Sequence, residues 1–145
     1  MRLSSKSRYG ARAMIELAGN YGKKVLPVNV IAKNQNISER YLQNILLILV
    51  DAGLVNSVRG KNGGFTLSKE PSRINLADIV YALEEDKYII ECIEDEKYCP
   101  KNSSCIIRGV WEKASEVLFN FLKGITLEQL LRMNGGKEKV LDFNI

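Results

Sequence analysis

Three cysteines are the residues of this chain with the most distinctive chemistry. Cys92, Cys99 and Cys105 are its only cysteines among 145 residues, and it contains no histidine. The absence of histidine excludes a His-based catalytic triad, a histidine general base and an all-histidine metal site. An odd number of cysteines without an export signal does not predict a disulfide framework.

The cysteine spacing fits neither of two common metal sites. Six residues separate Cys92 from Cys99, and five separate Cys99 from Cys105. A zinc ribbon usually has two residues between the cysteines of each pair, and ferredoxin spacings also differ. Soft thiolates suit iron–sulfur chemistry, so three thiolates with a fourth ligand of another type are one interpretation. A thiol switch between Cys92 and Cys99 is a second interpretation, and simple buried thiols are a third.

The basic residues are concentrated in the first half of the chain. Residues 1–70 carry 11 Lys and Arg against four acids, whereas residues 71–145 carry 10 basic and 13 acidic side chains. This asymmetry indicates that the N-terminal half binds a polyanion and that the C-terminal half has another role. A basic surface that is merely solvated would give the same count. The longest apolar stretch, residues 45–50, ends at Asp51, so no membrane span is predicted. The cytoplasm is the expected location, because the charged first residues are not followed by the apolar core of a secretory signal.

The first 72 residues have the pattern of a winged helix-turn-helix. Helical spacing predicts a first helix over residues 5–21, capped by Ser4 or Ser5, and a short second helix over residues 28–33. A third helix begins after an N-cap at Ser38 and ends at Gly53. Two β-type runs, 54–59 and 65–68, surround a glycine-rich tip and predict a hairpin. A protein-docking module could share this order, but the basic tip favours nucleic acid.

The predicted double-stranded DNA contacts lie on three elements. The start of the third helix would face base edges in the major groove, the wing tip would place Arg59 in a narrow minor groove, and the first helix would contact phosphates. Glycines at the tip would let the backbone approach DNA, although turn geometry alone also explains them. The predicted residues are Ser38, Glu39, Arg40, Tyr41, Gln43 and Asn44 of the third helix, Ser57, Arg59, Gly60 and Lys61 of the wing, and Ser5, Lys6, Arg8 and Arg12 of the first helix.

Residues 73–145 are predicted to form a dimerisation region. A fourth helix over residues 76–85 precedes an acidic, loop-like segment, residues 86–105, which holds the cysteines. A helix over about residues 104–123 then has an apolar face that is wide for so small a chain. A homodimer would cover this face, and the alternative is a core helix covered by its own chain. A last short helix begins near Thr126 and ends before Gly135.

The sequence resembles the IscR/NsrR/CymR type of winged-helix transcription regulators over nearly its whole length. The resemblance lies in the first ten residues, residues 37–42, 53–60 and 63–65, the three cysteines, Trp111 and residues 125–127. It implies a mainly α fold with a hairpin wing, a homodimer on a palindromic operator, and an iron–sulfur cluster held by the cysteines, with 2Fe–2S favoured over 4Fe–4S. No enzyme is expected, since the chain also lacks a P-loop and a nucleotide-type glycine fingerprint.

Two departures from that family pattern concern the cluster. Arg108 stands where the IscR branch has a histidine ligand, so the fourth ligand is unknown. Nearby oxygen donors are Glu91, Glu94, Asp95, Glu96 and Ser104. The tail from residue 135 to residue 145 resembles the CymR branch, which implies a cluster-free alternative that senses sulfur metabolism through a protein partner.

Overall fold

The computed structural model describes residues 3–84, 89–95 and 97–135. Along this part of the chain the elements are α1 (Ser5–Gly19), α2 (Val28–Gln35), α3 (Glu39–Asp51), β1 (Val55–Val58), β2 (Gly64–Leu67), a 3₁₀ turn (Pro71–Arg73), α4 (Leu76–Leu83), α5 (Glu91–Glu94), a second 3₁₀ turn (Asn102–Ser104), α6 (Ile106–Lys123) and α7 (Leu127–Asn134). The predicted fold class, mainly helical with a small hairpin wing, is confirmed. The C-terminal tail, whose sequence resembles the CymR branch, lies outside the described residues from residue 136 onward.

The first three helices follow the sequence pattern with small shifts at their ends. The Ser4 side chain caps α1, and the helix ends at Gly19, two residues before the predicted end. Helix α2 continues two residues past its predicted end, because Asn36 adopts a left-handed conformation with φ of 54° and closes the helix there. Gly53, with φ of 73°, follows the last turn of α3 as predicted.

The two strands form an antiparallel hairpin that is fastened to the chain before α2. Val55 pairs with Leu67 and Val58 pairs with Gly64. Leu26 and Phe65 exchange two backbone hydrogen bonds, with N···O distances of 3.0 and 2.8 Å. This extra bridge holds the wing against the segment that leads into the helix-turn-helix.

Helix α1 lies at the centre of the molecule and contacts α2, α3, α4, α7 and β2. Its buried side chains share one hydrophobic cluster with residues from the wing, α4 and α7, among them Met14, Leu17, Phe65, Ile79 and Leu127. Burial of such side chains is the main source of stability in a domain of this size. The helix-turn-helix and the later helices therefore share a core.

Backbone hydrogen bonds hold the starts of α4 and α7 next to each other. Leu76 N–H donates to the Ile125 carbonyl, and Leu127 N–H donates to the Ile74 carbonyl, each with an N···O distance of 2.9 Å. Both helices start with a reciprocal capping box, Asn75 with Asp78 and Thr126 with Gln129. The two helix starts are thus pinned side by side.

The described residues between α4 and α6 contain more regular structure than the composition predicts. They contain the single-turn helix α5 because Ile93 is buried there, and α5 packs against α6. Helix α4 ends at Leu83, earlier than predicted, since Glu84 is already extended. No helix in the described residues is both long and apolar enough to cross a membrane.

Candidate nucleic-acid interface and cysteine segment

Helix α3 separates a buried apolar face from an exposed polar one. The Ser38 hydroxyl accepts a hydrogen bond from the Tyr41 backbone N–H at 3.2 Å, so the predicted N-cap is confirmed. Leu42, Ile45 and Leu46 are buried, as predicted. The exposed residues at the start of the helix are Ser38, Glu39, Arg40, Gln43 and Asn44. Their amide and charged groups are the types that can read base edges in a major groove.

Tyr41 is half-buried and links α3 to α1. Its ring meets the Tyr9 ring edge-on, with centroids 6.1 Å apart. The guanidinium carbons of Arg8 and Arg12 lie 5.9 and 5.7 Å from the centroid of the same Tyr9 ring. Such cation–π contacts orient long side chains that would otherwise be mobile. One aromatic ring therefore brings two predicted phosphate ligands next to the predicted recognition helix.

The start of α1 also presents polar groups. The Arg8 guanidinium donates a hydrogen bond to the Ser5 hydroxyl at 3.2 Å, and both side chains are exposed. Lys6 is half-buried. The exposed Arg8 guanidinium is accessible to a phosphate, which is the role predicted for it.

Glu84 closes the start of α1 from a position 80 residues away in sequence. Its carboxylate accepts a hydrogen bond from the Ser4 backbone N–H at 2.8 Å. The buried Ser7 hydroxyl has no partner at full hydrogen-bond geometry among the described residues, but it lies close enough to favour the ionised carboxylate. Partial burial raises the pKa of Glu84, and the groups of Ser7, Ser4 and Lys6 together outweigh that effect, so the pKa is lowered overall.

Replacement of this carboxylate is expected to weaken the fold at neutral pH and to leave it nearly unchanged in acid. Because the folded-state pKa of Glu84 is lowered, its contribution is present above the unfolded-state pKa and is lost as the pH falls through the folded-state value. We expect Glu84→Gln to cost about 0.5–1.5 kcal/mol at pH 7, the scale of a lost helix cap. Chemical unfolding from pH 7 to pH 3 measures this, with exposed Glu70→Gln as the control. A pH-independent cost would contradict the prediction.

The wing places a basic tip in solvent. Ser57, Arg59, Gly60 and Lys61 are all exposed, and Gly60 has φ of 113°. The Gly63 N–H donates to the Gly60 carbonyl at 3.0 Å and closes the turn. The glycines therefore serve the turn geometry, and the exposed cations beside them are available to a phosphate backbone or a minor groove.

Removal of the wing guanidinium is expected to weaken DNA binding selectively. We predict that Arg59→Ala reduces the affinity for a duplex selected from random sequence by about 1–3 kcal/mol. Fluorescence anisotropy titration measures the loss, and exposed Lys24→Ala is the control for removal of one positive charge. Equal losses in the two variants would remove Arg59 from the interface.

The three cysteines are half-buried free thiols at separate positions along one segment. Cys92 is in α5, Cys99 precedes the second 3₁₀ turn, and Cys105 is the N-cap residue of α6. The segment is docked on α6 by buried Ile93 and by a hydrogen bond of 3.3 Å from the Ile89 N–H to the buried Ser115 hydroxyl. The segment that carries the thiols is therefore in direct contact with α6.

The cysteines do not form a ready ligand set in this arrangement. Within the described ranges, no three or more Cys, Asp or Glu side chains are grouped so that they could hold a metal ion. Arg108, at the position of the family histidine, forms an ion pair of 2.9 Å with Glu112 instead. Of the nearby oxygen donors, Glu96 lies outside the described residues. The donor types suit a cluster, but the geometry shown here does not fit one.

The structure joins some of the predicted site residues and leaves others apart. Tyr9, Arg8, Arg12 and Tyr41 meet, whereas the wing tip is a separate exposed feature and the cysteines do not converge. Sequence reasoning missed the polar roles of Glu84 and of Glu16, whose carboxylate accepts from the Asn34 and Gln35 side-chain amides. Only contacts between residues far apart in sequence reveal these roles, and periodicity carries no signal for them.

Three helices, a hairpin with a basic tip and an exposed polar helix start define a winged helix-turn-helix regulator. The family model for Rrf2, described as "Iron-dependent Transcriptional regulator", matches residues 3–133. This chain belongs to the Rrf2 family of transcriptional regulators, whose named members are regulators and not enzymes.

Similar proteins come from two branches of this family. The chain is 35% identical to CymR of Bacillus subtilis over 100% of both chains. It is 34% identical to IscR of Photorhabdus laumondii, with 98% of this chain and 84% of that protein covered. The solved structure of CymR, the global cysteine regulator of B. subtilis, has a TM-score of 0.75 at 33% identity and covers 92% of this chain and 98% of its own. The resemblance inferred from the sequence is confirmed.

Proposed function

We propose that this protein is a cytoplasmic transcription regulator that binds a palindromic operator as a homodimer and senses sulfur or iron–sulfur status through its cysteine segment. The observation that carries the dimer is the bare apolar face of α6. Its side chains are exposed to solvent: Ile106 by 94%, Val110 by 54% and Val117 by 52%. Phe121 lies on the same face of the helix. Together with their neighbours these side chains line an open groove of about 900 Å³. An exposed apolar surface of this kind marks an interaction site.

A second copy of the chain is the occupant that this face favours. The other side of α6 is already covered, since Leu122 is buried and Leu118 and Phe119 pack against α4. A two-fold symmetric pair would bury the same face of both copies at once. Two recognition helices related by that symmetry would read two inverted half-sites, about one DNA turn apart.

The proposed division of labour follows the chain. Residues 1–72 would contact DNA, with α3 reading bases, α1 contacting phosphates and the wing reaching the adjacent groove. Residues 73–145 would dimerise and sense. Because α4 and α7 pack directly on α1, a change in the second region would reach the first through shared core contacts.

An iron–sulfur cluster, with 2Fe–2S favoured, is the first sensing hypothesis. It is supported by three thiols on one segment docked against α6 and by the family description as iron-dependent. A cluster would supply a redox-sensitive group. Cys92, Cys99 and Cys105 would first have to be brought into one ligand set, because they do not form one here.

A cluster-free sensor is the second hypothesis, and two observations favour it. The similarity to CymR extends over the whole of both chains, and Arg108 stands where the IscR branch has a histidine ligand. In this case a thiol switch between Cys92 and Cys99, or a partner protein of sulfur metabolism, would change the affinity for DNA.

Anaerobic purification with iron and sulfide counting distinguishes the two hypotheses. The wild type and the triple Cys92→Ala, Cys99→Ala, Cys105→Ala variant are compared by visible absorption and by titration of the selected duplex. A cluster gives colour and bound iron in the wild type only. A thiol switch gives no iron but an affinity that responds to a thiol oxidant, and this response is lost in Cys92→Ala. Equal colour and equal affinity under all conditions would refute cysteine sensing.

The DNA-binding part has its own test. About six or more phosphate contacts predict a steep fall of affinity with salt concentration. A wild-type protein that selects no duplex from random sequence at low ionic strength would overturn the proposed function itself.

A further inference from the structure

One acidic side chain holds the turn of the helix-turn-helix. Glu16 lies on α1 and is one of only four acids in the first 70 residues. One of its carboxylate oxygens accepts from the Asn34 side-chain amide at 2.5 Å, and the other accepts from the Gln35 side-chain amide at 2.8 Å. An ionised carboxylate can only accept, so both amide nitrogens must face it. Two successive residues are thus fixed by one group.

Asn34 and Gln35 stand at the junction that directs the recognition helix. They are the last residues of α2, and the left-handed Asn36 follows at once. The Ile37 N–H then donates to the Ala32 carbonyl at 3.1 Å, and Ser38 caps α3. The path from the Glu16 carboxylate to the first residue of α3 is therefore only a few residues long.

Few apolar side chains of α2 are buried, so its hydrogen bonds to Glu16 contribute more to its position. Only Ile31 and Ala32 are buried in this helix of eight residues, and its N-cap, Pro27, has no side-chain hydrogen bond. Short helices depend on tertiary contacts for their position. Charged hydrogen bonds to the end of α2 supply such a contact, and they tie it to the helix that also carries Ser5 and Arg8.

We propose that Glu16 is a positioning residue that sets recognition helix α3 in register with α1 through Asn34 and Gln35. This inference rests on the proposed function, because it assigns base contacts to α3 and phosphate contacts to α1. Loss of the carboxylate leaves both sets of side chains and the direct packing of α1 on α3 in place, but it allows the start of α3 to shift. Base readout demands exact geometry, whereas phosphate contacts tolerate small shifts. Sequence discrimination falls, and general DNA affinity does not.

The test compares a selected duplex with a scrambled duplex of equal length. Glu16→Gln keeps the size of the side chain but removes the charge, so that one of the two neighbouring amides must turn its oxygen toward the new amide nitrogen and neither hydrogen bond remains charge-assisted. We expect its affinity for the selected duplex to fall about 10-fold, with unchanged affinity for the scrambled duplex and an unchanged dependence on salt. Glu70→Gln, which removes the same charge from the same half of the chain, controls for electrostatics. Thermal unfolding and light scattering confirm that the folded state and the oligomeric state are retained.

Two further variants isolate the contact itself. Asn34→Ala combined with Gln35→Ala removes both donors without a change of charge and should lose discrimination to the same degree. The exchange Glu16→Gln with Gln35→Glu restores one carboxylate–amide pair, with the amide of residue 16 now donating to residue 35, and should recover part of the lost discrimination. If the wild type discriminates and Glu16→Gln discriminates equally well, the inference is overturned while the proposed function stands. A wild type that fails to discriminate overturns the proposed function instead.

Discussion

Val117→Glu is expected to separate the proposed homodimer and to lower affinity for the selected duplex by about 100-fold or more. Val117 is 52% exposed on the apolar face of α6, and two-fold symmetry would bury the introduced carboxylate in both copies. A monomer can occupy only one half-site at a time and loses the gain from simultaneous engagement, which ranges from about 10² to 10⁴. Analytical ultracentrifugation and anisotropy titration measure the two effects.

A matched variant separates the interface from the added charge. Asn120→Glu adds the same charge three residues along α6, on the side that faces the groove next to α4. Glutamate is a good helix former, so α6 should remain helical in both variants. We expect Asn120→Glu to stay dimeric. A dimeric Val117→Glu with wild-type affinity would show that the apolar face of α6 does not join the two copies.

Gly64→Ala is expected to destabilise the fold by about 3–4 kcal/mol. A Cβ atom at this position would lie 2.3 Å from the Leu26 carbonyl oxygen and 2.8 Å from the Pro27 backbone nitrogen. These are backbone atoms of the bridge that fastens the wing, so no side chain can rotate away to relieve the clash. The φ of 156° adds strain for any residue other than glycine.

Gly60→Ala is the control for strain without a clash. Gly60 also has a positive φ, of 113°, but a Cβ atom there would meet nothing within 4 Å. We expect it to cost about 1–2 kcal/mol, as an unfavourable backbone angle does on its own. Denaturant unfolding of both variants measures the difference. Equal midpoints would show that the chain at Leu26 moves aside easily.

Local rules predicted the elements that local interactions determine. The Ser38 cap and the stop at Gly53 came directly from capping chemistry, and both are present. The predicted end of α2 is two residues too early, because the left-handed Asn36 closes the helix only after Gln35. The fold class needed only the order of these elements.

Contacts between distant parts of the chain were beyond sequence reasoning. The contact of Glu84 with Ser4 spans 80 residues, and that of Glu16 with Gln35 spans 19. Neither shows in periodicity, because each contact joins residues of different helices or of their caps. The sequence does not predict helix α5 for the same reason, because its single turn packs against α6 and buries Ile93.

The paired starts of α4 and α7 have a consequence for changes of chain length between them. Two backbone hydrogen bonds join the chain on either side of residues 76–125. The segment that contains α4, α5 and α6 therefore starts and ends at the same place. A change of chain length between α4 and α6 does not pull on these two hydrogen bonds, because α4 and α7 keep their own contacts with α1. The residues between α4 and α6 are therefore the part of this segment where insertions or deletions disturb the core least.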